Sequence, residues 1–317
     1  MKRQFGAALL AAMLTVTLVA TLATAALWQQ WRSVEIEAAE RIRVQSAWLL
    51  TGALDWARLI LREDARSGGA DHLAEPWALP LQEARLSSFL SKDDSSADAD
   101  RDAFLSGQIS DLQGRLNLSN LIENGKLSAP AALAFSRLFA QLELPAQELS
   151  ALTTLWLATQ TVLKPGENPD PLTPLMPRSV DQLGWLGLSP QTVAILKPYI
   201  TLLPERTPIN LNTASAEVIH ASVPGMDMAD ATRLVAAREG AHFATLADAG
   251  RLAPAVNDAA ANAQLSVATR FFEVRGRVRM DQSVVEEMSV VQRDGLNVRT
   301  ISRQRGPAPA PAPGAPG

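Results

Sequence analysis

Asp71, His72 and Glu75 sit close together in the chain and are of the types that hold a divalent cation. A polar loop turning under Trp77 and Leu79 accounts for the same residues equally well, so the metal stays open. A second acidic stretch follows, with Asp93, Asp94, Asp98, Asp100 and Asp102 among the serines 87, 88, 91, 95 and 96. Calcium favours clustered carboxylate oxygens, but this run lacks the turn glycine and closing glutamate of a calcium loop. Low-complexity Ser/Asp sequence reads as a solvated loop. Nucleophilic catalysis has no candidate: there is no cysteine, and His72, His220 and His242 are isolated from any Ser/His/Asp arrangement. The chain is read as not an enzyme.

The most suggestive chemistry lies further on, in Pro208-Ile209-Asn210-Leu211-Asn212-Thr213-Ala214, then Val223-Pro224-Gly225-Met226-Asp227, then Thr232 to Arg238. This order resembles a helix-hairpin-helix unit, whose Gly-rich hairpin holds DNA phosphates with backbone N–H groups. Asp227 stands where such a hairpin needs a second glycine, and its carboxylate would face the phosphate. Between residues 207 and 252, three cations (Arg233, Arg238, Arg251) meet five carboxylates (Glu217, Asp227, Asp230, Glu239, Asp248), a net charge of −2. Phosphate binding needs the opposite balance. No nucleic-acid partner is expected; a membrane-anchored DNA-binding protein of the competence type is the alternative. The segment reads instead as a helical packing module, with Thr213 as N-cap and Gly225 in the tight turn. Arg115-Leu116-Asn117-Leu118-Ser119-Asn120-Leu121 echoes Pro208 to Thr213, which suggests two related modules.

Several elements must position these residues. Lys2 and Arg3 precede a charge-free run from Ala7 through Trp31, long enough in helical form to span a bilayer, with the basic residues marking the cytoplasmic end. A cleaved secretory signal ending at Ala23-Thr24-Ala25 would have a shorter apolar core. Helical periodicity then continues through Trp31, Val34, Ala38, Ile42, Leu49, Ala53, Trp56 and Ile60 to a stop at Gly68-Gly69, so one apolar stripe is expected to lie on a folded head. A strand is expected within Gly107–Asn117. Helices fit 130–142, 145–163, 180–186 and 190–203, with a proline-rich loop from Pro165 to Pro177. Three strands close the domain: Phe271–Met280, Val284–Gln292 and Leu296–Arg303, the last two joined by an Arg293-Asp294-Gly295 turn. Their alternation gives one buried face and one basic face of Arg275, Arg277, Arg279, Arg299 and Arg303. With 317 residues, 47% hydrophobic content and a net charge of −4, the composition is globular and calls for no anionic partner.

A basic leader ending in Gly6, then an uncharged helix running into a head, resembles the type IV pilin and pseudopilin signal. That resemblance implies cleavage by a prepilin peptidase between Gly6 and Ala7 and N-methylation of the new terminus at Ala7. Most pilin-like chains carry Glu at the fifth mature position, where this chain has Ala11. A lone charge in an apolar bundle is costly without the neighbouring subunit's amine, so Ala11 suits a subunit with no such partner.

The leader with Ala11, the stretch from Asp55-Trp56-Ala57 to Trp77, Asp111-Leu112-Gln113-Gly114-Arg115-Leu116-Asn117-Leu118, Asn210-Leu211-Asn212-Thr213-Ala214 and Arg275-Gly276-Arg277-Val278 come in an order that resembles the protein K family of type II secretion minor pseudopilins. The resemblance implies an α+β fold: a long pilin-like N-terminal helix on a small antiparallel sheet, with a large all-helical domain of helix-hairpin-helix/SAM-like type inserted. It divides the chain into a leader (1–6), a transmembrane part (7–31), periplasmic helix, loops and first strand (32–118), the inserted helical domain (119–268), C-terminal strands (269–305) and a Pro/Ala/Gly tail (306–317). It also implies a single pass through the bacterial inner membrane with the head in the periplasm. The expected place is the pseudopilus tip, with the minor pseudopilins I, J and H, in the export of folded proteins. Some relatives hold calcium in the head; no ligand motif here matches residue by residue, so no metal ligand is carried over.

Overall fold

The structure, a computed structural model, describes residues 5–86, 103–160, 174–280 and 283–307. The acidic run 87–102, the greater part of the proline-rich loop and the tail beyond residue 307 lie outside these. The first element, α1 (Phe5–Ser67), is one unbroken helix, roughly 95 Å long at 1.5 Å per residue. Its threonines return their hydroxyl protons to carbonyls three or four residues earlier, Thr15 to Ala12, Thr17 to Met13, Thr21 to Leu18 and Thr24 to Ala20. These four hydroxyls therefore need no outside partner. Every residue from Ala7 to Arg41 is exposed.

Only the upper part of α1 is covered, and by a different stripe from the one expected. Ser46, Leu50, Leu54, Ala57 and Leu61 are buried, whereas Trp31, Val34 and Trp56 are at least half exposed. The sequence carries apolar pairs at adjacent positions (Leu49/Leu50, Ala53/Leu54, Trp56/Ala57, Ile60/Leu61), so periodicity alone does not separate neighbouring faces. Contact also starts only near Ile42. A ten-residue strand spans roughly 33 Å, which matches only about 22 residues of helix.

After a 3-10 turn at Pro76–Ala78 that buries Trp77 come β1 (Leu81–Arg85) and β2 (Ala103–Asp111). Thus the expected strand within 107–117 ends at Asp111, and β1 precedes it. The insertion then contains β3 (Leu116–Asn117), β4 (Ile122–Glu123), β5 (Lys126–Leu127), α2 (Ala129–Gln141), α3 (Ala146–Thr159), a 3-10 helix at Val180–Leu186, α4 (Pro190–Leu196) and β6 (Ile200–Thr201). It continues through β7 (Ile209–Asn210), α5 (Ala216–Ser222), α6 (Met228–Gly240), α7 (Leu246–Leu252), α8 (Ala255–Ala261) and β8 (Leu265–Ser266). Where the sequence suggested one helix from 190 to 203, α4 stops at Leu196 and the chain enters β6. The insertion has its own continuous core, including Leu118, Leu138, Leu152, Leu186, Leu211 and Ile219.

The chain returns as β9 (Phe271–Met280), β10 (Ser283–Asp294) and β11 (Asn297–Pro307). These join β1 and β2 in an antiparallel sheet of order β1-β2-β9-β10-β11, so the two strands flanking the insertion pair directly. The result is the α+β arrangement anticipated above: a long helix on an antiparallel sheet, with the helical part spliced between neighbouring strands. Phe272, Val274, Val278 and Val291 meet the α1 seam, and Trp77 packs edge-on against Phe272 at 5.2 Å. Gly276 sits beneath Leu50; a Cβ there would meet Leu50 Cδ2 at 3.1 Å, so its hydrogen lets the helix approach.

The hairpin turn falls at Gly295-Leu296, with Arg293 and Asp294 still in β10. The basic face also needs correction. Val290 pairs with Ser302 and Val291 with Thr300, leaving Ile301 as an extra residue in β11. This bulge reverses the alternation. Arg303 consequently turns towards α1, donating to Glu287 and to Thr51 Oγ1 at 3.1 Å, while Arg299 binds Gln292. Burial pushes the Glu287 carboxyl up, but hydrogen bonds from Arg303 and Arg305 outweigh it and hold the group below its usual range. On the other face Arg275 pairs with Glu273 and Glu286, and Arg279 with Glu83, so that face is mixed in charge.

The position of the seam makes two substitutions diverge. Leu61→Ala should destabilise the detergent-solubilised chain by about 2–5 kcal/mol, and Trp48→Ala should change stability by less than about 0.5 kcal/mol. Thermal unfolding followed by near-ultraviolet circular dichroism compares them, and the reverse order would place the seam on the wrong face.

Candidate functional site at the junction of sheet and insertion

The sheet and the insertion are joined around one buried carboxylate. Asp111, at the end of β2, accepts four hydrogen bonds from three separate parts of the chain. Gln113 N and Thr269 Oγ1 donate to Oδ1, each at 2.6 Å; Asn210 Nδ2 and Thr213 Oγ1 donate to Oδ2 at 2.9 and 2.6 Å. Burial pushes this carboxyl above the usual carboxylate range, and the four donors pull against that shift. Thr213 is therefore not the N-cap expected from the sequence. Ser215 caps α5, accepting from Val218 N at 3.4 Å, which frees Thr213 to reach the carboxylate. Gln113 adds a second layer: its Nε2 donates to Pro208 O and its Oε1 accepts from Arg270 N. A Cβ on Gly114 would lie 3.0 Å from Thr213 Oγ1 and 3.2 Å from its backbone, so only glycine allows this approach.

The two Asn-containing motifs perform matching tasks. Asn117 closes β3, which pairs in parallel with β6; Asn210 closes β7, which pairs in parallel with β8. Asn117 Nδ2 donates to Glu205 O, while its Oδ1 accepts from Ser119 N and Leu203 N. Asn212 clamps Phe243 through both its N–H and its carbonyl, each at 2.9 Å. Buried amides with every group partnered fix chain paths uniquely. The echo in the sequence thus corresponds to two modules, each opened by an apolar-Asn pair and closed by a parallel two-residue strand.

Among the described residues, one set of carboxylates lies close enough to hold a metal, Asp64, Asp71 and Glu75, with ligand atoms within 4.8 Å of one another. Their chemistry does not fit one, because a cation of the chain is already present: Arg293 donates to both Asp64 and Asp71 and lies over the Phe272 ring. Asp71 also accepts from Thr269 N at 2.6 Å, and Glu75 accepts from His72 N and Trp77 Nε1, each at 2.8 Å. Burial raises the carboxyls of Asp71 and Asp64, with Arg293 working against the shift in both. His72, the remaining residue of the candidate set left open above, stacks on His242 of the insertion at 3.7 Å. Burial and then the facing His242 hold the His72 ring below its ordinary value of 6.5, with Asp64 and Asp71 opposing. The acidic residues between 87 and 102 lie outside the described residues.

The hairpin of the insertion is filled by the protein itself. Gly225 has φ +79°, as the tight turn requires. Arg137 of α2 donates to Val223 O at 2.5 Å and Met226 O at 2.8 Å. Asp227 caps α6, accepting from Asp230 N at 2.7 Å, which occupies the N–H group a phosphate oxygen would need. Arg233 pairs with Asp230, and Arg238 donates to Leu211 O at 2.5 Å, its guanidinium lowered by burial to about 10. The unit packs helices and offers phosphate no cradle.

Gly6, Ala7 and Ala11 all fall in the first turns of α1, far along the helix from this junction. Two models of one family, described as "Type II secretion system (T2SS), protein K", match residues 114–205 and 209–268, the extents of the two Asn-opened modules. Type II secretion system protein K of Pseudomonas aeruginosa is 27% identical over 98% of this chain and 95% of its own length, and that of Klebsiella pneumoniae is 27% identical over 96% and 97%. Over nearly its whole length the chain is similar to type II secretion system protein K. That similarity supports a minor pseudopilin of type II secretion. The fold agrees with that of a chain in the crystal structure of the GspK–GspI–GspJ complex from enterotoxigenic Escherichia coli, at TM-score 0.65 and 17% identity over 85% of this chain and 99% of that one.

The sequence marks the motif that carries Asp111 but gives the carboxylate no task, and it leaves Thr269 and Arg293 outside every site. A lone Asp ending an apolar strand was the available signal. Asp111→Ala leaves four buried donors unsatisfied and should lower stability by about 3 kcal/mol or more, with Thr213→Val costing about 1–2 kcal/mol, both measurable by urea unfolding.

The stacked histidines add a pH dependence. The folded-state value of His72 is depressed, so its contribution is present above the unfolded value of 6.5 and lost as pH falls through it. The stability advantage of wild type over His72→Gln should shrink between about pH 7.5 and pH 5; a constant difference would rule out this linkage.

Proposed function

We propose that this minor pseudopilin sits at the tip of the periplasmic pseudopilus, in a complex with the minor pseudopilins I, J and H, and promotes the export of folded proteins across the outer membrane. The observation that carries this reading is the bare lower part of α1. From Ala7 to Arg41 the helix is exposed on all sides, with no charge before Arg32. Exposed apolar surface of this extent needs another medium. A bilayer supplies it before assembly, and neighbouring helices supply it afterwards. The exposed Trp48 and Leu59 continue that surface up the side of the head. The relative fold occurs in a complex named for GspK, GspI and GspJ, which supports I and J as partners.

In this reading, residues 1–6 are a leader removed by the prepilin peptidase, Ala7 becomes the methylated amino terminus, and residues 7–31 hold the subunit in the inner membrane with the head in the periplasm. Ala11 in place of the usual glutamate agrees with a first subunit, since no preceding subunit's amine would have to be neutralised. The bulk of the insertion beside the sheet agrees with an end position, because a repeating fibre body leaves little room for it.

Processing and assembly are separable in experiment. Gly6→Val should leave a precursor longer by the leader on an immunoblot and empty the culture supernatant of secreted enzymes. A mature-sized product with normal secretion would refute cleavage at Gly6–Ala7. Co-purification with co-expressed pseudopilins I and J tests the partners, and loss of the complex in Trp48→Glu is the expected result.

A further inference from the structure

In the insertion, β4 and β5 are joined by the one Asn-Gly step of the chain, Asn124-Gly125. Glu123 pairs with Lys126 across a two-residue turn, and both turn residues are left-handed, with φ +51° and +73°. Asn and Gly take that conformation more readily than other residues, so the turn itself calls for this pair. The ends of the hairpin are held, because Ile122 packs against the insertion core and Ser128 N donates to Leu121 O. Its tip is free. Both turn residues are exposed, and neither the Asn124 amide nor the Gly125 N–H has a hydrogen-bond partner among the described residues. A Cβ on Gly125 would meet nothing within 4 Å, so the nitrogen is open on that side as well.

Such a tip lets an asparagine react with its own chain. Once a base has taken its proton, the Gly125 nitrogen is a nucleophile tethered to the Asn124 side-chain carbonyl carbon, Cγ, and residue 125 has no side chain to block the approach. Attack forms an N–Cγ bond and closes a cyclic imide; the Cγ–Nδ2 bond breaks, and that nitrogen takes up a proton and leaves as ammonia. Water then opens the ring at either carbonyl, its hydroxyl going to the carbon and its hydrogen to the nitrogen. The sum is asparagine plus water giving aspartate, or its β-linked isomer, plus ammonia, with no oxidation or reduction. Asn117, Asn120, Asn210 and Asn212 lack these features: each amide donates a hydrogen bond, and each is followed by Leu or Thr. We propose that Asn124 is a self-modification site, which converts to aspartate and isoaspartate without an enzyme and so adds a carboxylate to the insertion as the protein ages. Glu123 is the partner of Arg206, so the new charge falls next to an ion pair. The reaction does not depend on where the subunit sits in a pseudopilus.

The detergent-solubilised full chain can be incubated at about pH 8, where the nucleophile forms, and then digested with trypsin to release the peptide Leu116–Lys126. The mass of the amide should give way to that of the acid, with fragment ions placing the change at Asn124 and with normal and β-linked products separating on chromatography. Loss of the amide should run within about 10-fold of its rate in free acetyl-Leu-Ile-Glu-Asn-Gly-Lys-Leu-amide, because the folded tip has no hydrogen bond to break. Hydroxylamine, which traps the imide, should cut the chain after residue 124. Asn124→Gln, whose longer side chain closes the ring poorly, should abolish both the acid product and the cut. The proposal is overturned if the folded chain loses the amide more slowly than that limit, if the acid forms first at another asparagine, or if hydroxylamine leaves the chain whole.

Discussion

The architecture depends on the Asp111 carboxylate. Inserting about half of the chain between two neighbouring strands creates a mechanical problem, because β2 and β9 must pair while their continuations leave for a separate core. Asp111 ends β2, Thr269 precedes β9, and Asn210 and Thr213 open the second module of the insertion; all converge on two oxygens. A buried charge is tolerated only when its hydrogen-bonding capacity is filled. The same demand makes the junction specific, since any other placement of the insertion leaves the carboxylate short of donors. Arg293 with Asp64 and Asp71 applies a similar logic at the head of α1, tying helix, loop and hairpin together.

Rigidity at this junction gives the bare helix its significance. α1 is covered by the sheet over only its upper part, where Gly276 admits Leu50, and is uncovered below. A head joined to such a helix through this buried junction transmits any displacement of the helix to the insertion. The hydroxyls of Thr15, Thr17, Thr21 and Thr24 are paired within the helix, so these side chains leave no unsatisfied group on that surface.

The hairpin that resembles a helix-hairpin-helix unit serves here to pack helices. The features that hold phosphate are free N–H groups at a hairpin and a positive surround. Here Asp227 takes the helix N-terminus, Arg137 takes the hairpin carbonyls, and Arg238 is drawn inward to Leu211 O. The groups that a phosphate would need are all engaged within the chain.

The sequence by itself determined the features that depend on neighbours along the chain: an uncharged helix of membrane length, alternating strands after residue 270, a hairpin whose charge balance refuses phosphate, and the ordered motifs that mark the family. What it left undecided were the choices of face. Adjacent apolar pairs on α1 made two stripes equally plausible, and contact with Gly276 in β9 selected the one through Leu50. The extra residue at Ile301 moved Arg303 to the opposite side from Arg299. Thr213 looked like a cap until Asp111 came within 2.6 Å. Periodicity, charge and turn chemistry act over a few residues and can be read locally. Which side of an element is buried, and which donor meets which carboxylate, is decided by segments as far as 252 residues apart, and only the folded chain brings them together.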